Sequence, residues 1–177
     1  AVESLTSIVE RLESFEGAII KGVKESRKHH FDESSEIKRA ERDAKVVTNR
    51  VAQFIAKYDR ASDKSAYLEK EFVPTFRFVE DTSEDVLDRV DALAEDVSSD
   101  DLSTVLAELR TTAELPVSEL RTIREAIEGG GKISSQAQVA LMGALKGHSH
   151  KAKESLDSMK ERSAKVIASA RQASFEL

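Results

Sequence analysis

The chain has no cysteine and no tryptophan, only two prolines and a single asparagine. Without cysteine there is no disulfide staple, no thiolate metal site and no cysteine nucleophile. The absence fits the cytoplasm, and equally a secreted helical domain that needs no staples. The asparagine lies in Asn49-Arg50-Val51, which is not an N-glycosylation acceptor. No apolar run approaches the ~20 residues of a membrane-spanning helix. Ala1-Val2-Glu3 follows no n-region/h-region pattern; it reads as a mature start after a cleaved signal peptide, or as a boundary within a longer chain.

What remains is helix-forming. Charged residues make up 34 % of the 177 positions and aromatics 5 %, with Ala, Glu, Ser and Lys abundant, the composition of long helices or coiled coils. Regular apolar spacing and seven phenylalanines argue against disorder. The net charge is −6, from 27 basic and 33 acidic residues. Short basic groups such as Arg27-Lys28 and Lys38-Arg39 are flanked by acids and read as solvated helix faces, so no nucleic-acid partner is expected.

One apolar series dominates: Leu5, Ile8, Leu12, Phe15, Ile19, Val23, Ser26, His30, Glu33, Ile37, Ala40, Ala44, Val47, Val51, Phe54 and Tyr58. Steps of three and four place these residues on one stripe of a helix. The tract from about Ser4 to Arg60 is expected to be one long, bent helix of roughly 80 Å, at about 1.5 Å per residue. The consecutive four-residue steps Phe15–Ile19–Val23 look like a stutter; a break near His29–Asp32, with Asp32 as a cap, is the alternative. Asp59–Ser65 reads as a turn capped by Ser62 or Asp63. Pro74 predicts a short helix before it and a longer one from there to about Val97. Ser98-Ser99-Asp100-Asp101 caps a helix carrying Leu102, Val105, Leu106 and Leu109. Pro116 opens another, and Gly129-Gly130-Gly131 stops it. Ser134 or Ser135 caps a last tract to about Ser174, whose inward series is Ala137, Leu141, Ala144, His148, Ala152, Ser155, Leu156, Met159, Ser163, Val166, Ala170 and Ala173. The expected fold is all-α: a single elongated helical-bundle domain over residues 1–177, with long N- and C-terminal helices and three or four shorter ones between. The last tract is the expected partner of the opening stripe.

Candidate chemistry is sparse. His29-His30 and His148-Ser149-His150 lack the i, i+4 spacing of zinc helices. Each pair nevertheless puts one member, His30 or His148, in an inward series. Ser26, His30, Glu33 and His148 are therefore the candidates for a polar layer or ligand site, with the layer as the plainer reading. Asp81, Glu84, Asp85, Asp88 and Asp91 recur beside an apolar stripe, as a solvated face does. Thr111-Thr112 and Thr122 are read as surface or capping residues. Gly129-Gly130-Gly131-Lys132 lacks the GxxxxGK[ST] spacing of a phosphate loop, and no serine sits in a GxSxG elbow. No catalytic residue, metal or cofactor is expected.

The Ala/Glu-rich tracts Glu36–Ala56 and Ala137–Ala173, on a chain free of cysteine and tryptophan, resemble the glutamic-acid/alanine-rich surface protein of insect-stage trypanosomes, which are kinetoplastid parasites. More remotely, the chain is similar to the helical core of variant surface glycoproteins; those carry disulfides, so this similarity reaches only the long hairpin. The resemblance is one of composition and layout. It implies an extended bundle held on the outer face of the plasma membrane by a C-terminal glycolipid anchor, packed densely with glycans as a protective coat. Phe175-Glu176-Leu177 carries no anchor signal, so the anchoring segment is expected outside this sequence. Two other classes fit the pattern. One is the extracytoplasmic helical-bundle sensor of a bacterial chemoreceptor or kinase, binding a small molecule at Ser26, His30 and Glu33. The other is a cytoplasmic coiled-coil adaptor whose apolar stripe binds another helix.

Overall fold

The computed structural model describes the main chain of residues 2–176, and the side chains of that range except those of 2–4, 25–31, 174 and 176. Five helices account for the described chain: α1 (Val2–Arg60), α2 (Lys64–Ala94), α3 (Asp100–Ala113), α4 (Val117–Glu128) and α5 (Ser135–Glu176). No strand occurs among the described residues.

The helix ends follow the local chemistry. Asp63 caps α2, its carboxylate accepting from the Ala66 N–H at 3.0 Å. Ser99 caps α3 through the Leu102 N–H, and Ser134 accepts from Ala137 N–H at the start of α5. Pro116 precedes α4, where its missing N–H costs no helical bond. Gly129 ends α4, and Gly130 turns the chain with φ +68°, a conformation that other residues rarely adopt. There is no break at His29–Asp32, because α1 is one helix of 59 residues.

Pro74 departs from expectation: α2 runs through it. Pro74 faces solvent, and so does Lys70, whose carbonyl loses its helical partner. On the opposite face Phe72 and Phe76 are fully buried and hold the helix continuous. The lost bond falls where water replaces it.

Cross-links between side chains fix the topology. Ser163 donates to Glu41 at 2.6 Å, and Tyr58 donates to Gln138 at 3.3 Å, so α5 runs antiparallel to α1. Arg89 bridges Asp43 at 2.6 Å and Glu36 at 3.2 Å, while Phe54 meets Phe72 and Phe76, so α2 is antiparallel to α1 as well. Arg110 pairs with Asp91, and Arg124 with Glu80, placing α3 and then α4 along α2. The result is an up-down-up-down four-helix bundle whose third column is broken at Glu114-Leu115-Pro116.

Two apolar clusters fill it. One joins Val47, Val51, Phe54 and Tyr58 to Leu68, Phe72, Phe76, Leu120, Ile123 and Leu141. Its rings pack edge to face, Phe54 on Phe76 at 5.0 Å and 82°. The Tyr67 hydroxyl closes that end by donating to the Phe54 carbonyl at 3.1 Å, and burial, with Glu71 nearby, raises its pKa. The other cluster joins Ile37, Ala40 and Ala44 to Val86, Val90, Leu102, Val105, Leu109 and Met159. The acidic series on α2 is exposed, as a solvated face should be.

The opening stripe divides in two. From Ile37 to Tyr58 its members are buried against α5 and α2. Leu5, Ile8, Leu12, Phe15 and Ile19 are instead 50–66 % exposed. Among the described residues α5 does not reach this part of α1. At one residue for one, Glu176 is level with about residue 28 of α1. From there to Val2, roughly 40 Å, no other described helix lies along α1.

Two substitutions test this packing. Pro74→Ala restores a helical donor on an exposed face and is expected to raise stability by about 1–3 kcal/mol. Phe72→Ala empties a site between two rings and is expected to cost about 3–5 kcal/mol. Urea denaturation followed by circular dichroism measures both.

Candidate functional site

Buried polar side chains gather where the two clusters meet. On α1, Thr48 lies between Ala44 and Val51; on α2, Ser83 lies between Val79 and Val86. Thr112 on α3 and His148 and Ser149 on α5 complete the waist, and all five are buried. Thr48 donates to the Ala44 carbonyl at 2.8 Å and Thr112 to the Leu109 carbonyl at 2.6 Å, so each is satisfied within its own helix. Ser83 Oγ and His148 Nε2 are buried without a hydrogen-bond partner among the described residues.

The broken third column shapes the surface here. Glu114-Leu115-Pro116 opens a groove on each flank, one of about 430 Å³ that includes Ser83 and one of about 660 Å³ that includes His148. The larger has Gly143, Ala144 and Gly147 as its floor and Lys151 and Thr111 at its rim. Gly143 and Gly147 sit one turn apart on α5, with open space where a Cβ would stand. The groove therefore reaches close to the α5 main chain.

Burial lowers the His148 pKa; a hydrogen bond to the Glu114 main chain opposes this, and Lys151 adds to the lowering. The imidazole is accordingly neutral at pH 7. It can accept or donate a hydrogen bond, and Thr111, Glu114 and Lys151 line the same groove. No group of three or more His, Asp or Glu among the described residues is placed to hold a metal.

The four residues singled out from the sequence do not form one site. The side chains of Ser26 and His30 lie outside the described residues. Glu33 is buried at the lower end, in clefts shared with Ser98, Ser99, Val166 and Ala170 on one side and Asp32, Glu36 and Arg89 on the other. His148 is level instead with the turn of α1 between Thr48 and Ile55, given the pairing of Tyr58 with Gln138 and Glu41 with Ser163. Glu33 and His148 are thus roughly 30 Å apart along the rod. Glu33 and His148 therefore do not share one layer. Thr112, read as a surface residue, is fully buried.

Sequence reasoning missed Ser83, Thr112 and the glycine floor. The available signal was the pair Gly143 and Gly147 inside an otherwise helical tract, which marks a place where something approaches the backbone or where nothing packs.

Compared with protein-family models, curated proteins and solved structures, the chain matches none.

Two measurements follow from the waist. A histidine whose folded pKa is lowered stabilises the fold above its unfolded value near 6.5, and that contribution is lost as pH falls through the folded value. Stability should therefore drop between pH 7.5 and pH 5, and the drop should shrink in His148→Gln when urea midpoints are compared at the two values. Gly147→Ala adds a methyl into open space on a helix and should stabilise by about 0.5–1 kcal/mol in the same assay.

Proposed function

We propose that this protein is a non-enzymatic cell-surface coat protein, held on the outer face of the plasma membrane by a glycolipid anchor and acting through height and lateral density. The observation that carries the reading is the form of the molecule: a rod whose interior is filled by two apolar clusters. Function in a coat needs length, a solvated flank and a rigid column, and a packed four-helix bundle supplies them. The start of α1 and the end of α5 lie at the same end of the rod, with the 61–63 and 129–134 turns at the other. An anchor following α5 would hold the rod upright with those turns outermost. The resemblance of the Ala/Glu-rich tracts to trypanosome surface proteins supports the same assignment. No helix among the described residues is long and apolar enough to cross a membrane.

A second reading is favoured by one observation, the glycine-floored groove beside the unpartnered Nε2 of His148. In a ligand-sensing domain this groove, rather than the middle of α1, would receive the small molecule.

Antibody labelling of intact cells, followed by phosphatidylinositol-specific phospholipase C, tests the coat reading. The expected outcome is staining without permeabilisation and release of the protein by the enzyme. Staining only after permeabilisation would refute it. A reproducible rise in melting temperature with a small molecule, abolished by filling the groove with Gly147→Leu, would favour the sensor.

A further inference from the structure

The lower third of α1 is an amphipathic helix with no other described residue packed upon its apolar face. Leu5, Ile8, Val9, Leu12, Phe15, Ile19 and Ile20 are each 49–66 % exposed. Together they present on the order of 700 Å² of apolar surface, close to the ~800 Å² that each partner buries in a specific interface. Water-exposed apolar area of that size marks an interaction site. Its pattern states the geometry of the partner. Leu5, Leu12 and Ile19 fall at the a positions of a heptad, and Ile8 and Phe15 at the d positions.

The flanking charges select the occupant. Arg11 takes a g position, and Glu16 takes the e position five residues later. Within one helix these side chains are not neighbours, because residues meet at separations of three and four. Residues three and four away from Arg11 are Ser7, Ile8, Ser14 and Phe15; for Glu16 they are Leu12, Glu13, Ile19 and Ile20. Neither is paired with an opposite charge among the described residues. In two parallel helices in register, g of one chain faces the following e of the other, so Arg11 meets Glu16 of a second copy and the pair forms twice. An antiparallel partner copy would instead set g against g and e against e.

We infer that residues 5–23 of α1 form a parallel, in-register coiled coil with further copies of this chain, with Arg11 and Glu16 paired across the seam. Leu5 at a with Ile8 at d favours three or four strands over two in the first heptad, and Val9 and Ile20 widen the apolar face. Gly22, at the next d position, adds no side chain to the seam and ends it. Because the same stripe is covered by α5 and α2 from Ile37 onward, the α1 helices diverge above Val23 so that the bundles clear one another. The inference rests on the uncovered stripe and not on the coat reading.

Sedimentation equilibrium of the full chain tests it, with circular dichroism melts to confirm that the bundle stays folded. The wild type should reach a mass of two or more chains as concentration rises, and Leu12→Glu/Phe15→Glu should be monomeric with an intact melt. Arg11→Glu and Glu16→Arg should each weaken association by about tenfold, and the combined reversal should restore it. A wild type that stays monomeric would overturn the inference. So would a combined reversal as weak as the single variants, or capture of the monomer by anionic vesicles through the same side chains without self-association.

Discussion

The seam between α1 and α5 is the constraint on which the other elements depend. From Ile37 to Tyr58 α1 presents Ile, Ala, Val and aromatic side chains in one line, and α5 meets them with Leu141, Leu145, Ala152, Met159, Ser163 and Val166. Small residues on both faces let the backbones approach, and polar links at Glu41–Ser163 and Tyr58–Gln138 fix the register. Once these two columns are set, α2 can only return along α1, and α3 and α4 fill the fourth corner. Most of the gain comes from apolar burial; the polar links choose among registers that burial alone leaves close in energy.

The same seam explains both unusual features. The third column is built from two helices because Pro116 cannot continue α3. The resulting step at Glu114-Leu115-Pro116 coincides with the polar waist of Thr48, Ser83, Thr112 and His148. Apolar packing is thinnest there and the grooves open. At the lower end the seam stops where α5 stops, while α1 continues. One helix therefore lives in two environments: a half held by tertiary burial, and a half whose helicity in isolation would be marginal without a partner.

Local signals made much of this legible in the sequence. Asp63, Ser99, Ser134 and Gly129–Gly131 mark boundaries because caps and glycine turns act within a few residues. The inward series of the last tract matches the observed buried face, since period 3.6 reports a face directly. Periodicity does not say what covers that face, and so Leu5–Ile19 and Ile37–Tyr58 looked alike. The difference lay in reach: among the described residues α5 extends along α1 only as far as about residue 28. Pro74 misled because its cost depends on which side of the helix loses the bond. Thr112 was illegible because a buried threonine can satisfy itself against its own helix, as Thr112 does on the Leu109 carbonyl, and Ser83 because a single small polar residue on an apolar face leaves no distinct pattern.

Among the described residues, α1 is covered by the other helices only from about Glu33 onward. Hydrogen exchange read by mass spectrometry at low and high protein concentration tests it directly. Amides of 37–58 should be protected to the same high level at both concentrations. Amides of 5–23 should exchange quickly in dilute solution and slow as concentration rises. Strong, concentration-independent protection of 5–23 in a monomer would mean that the chain itself covers the stripe, and would contradict the account.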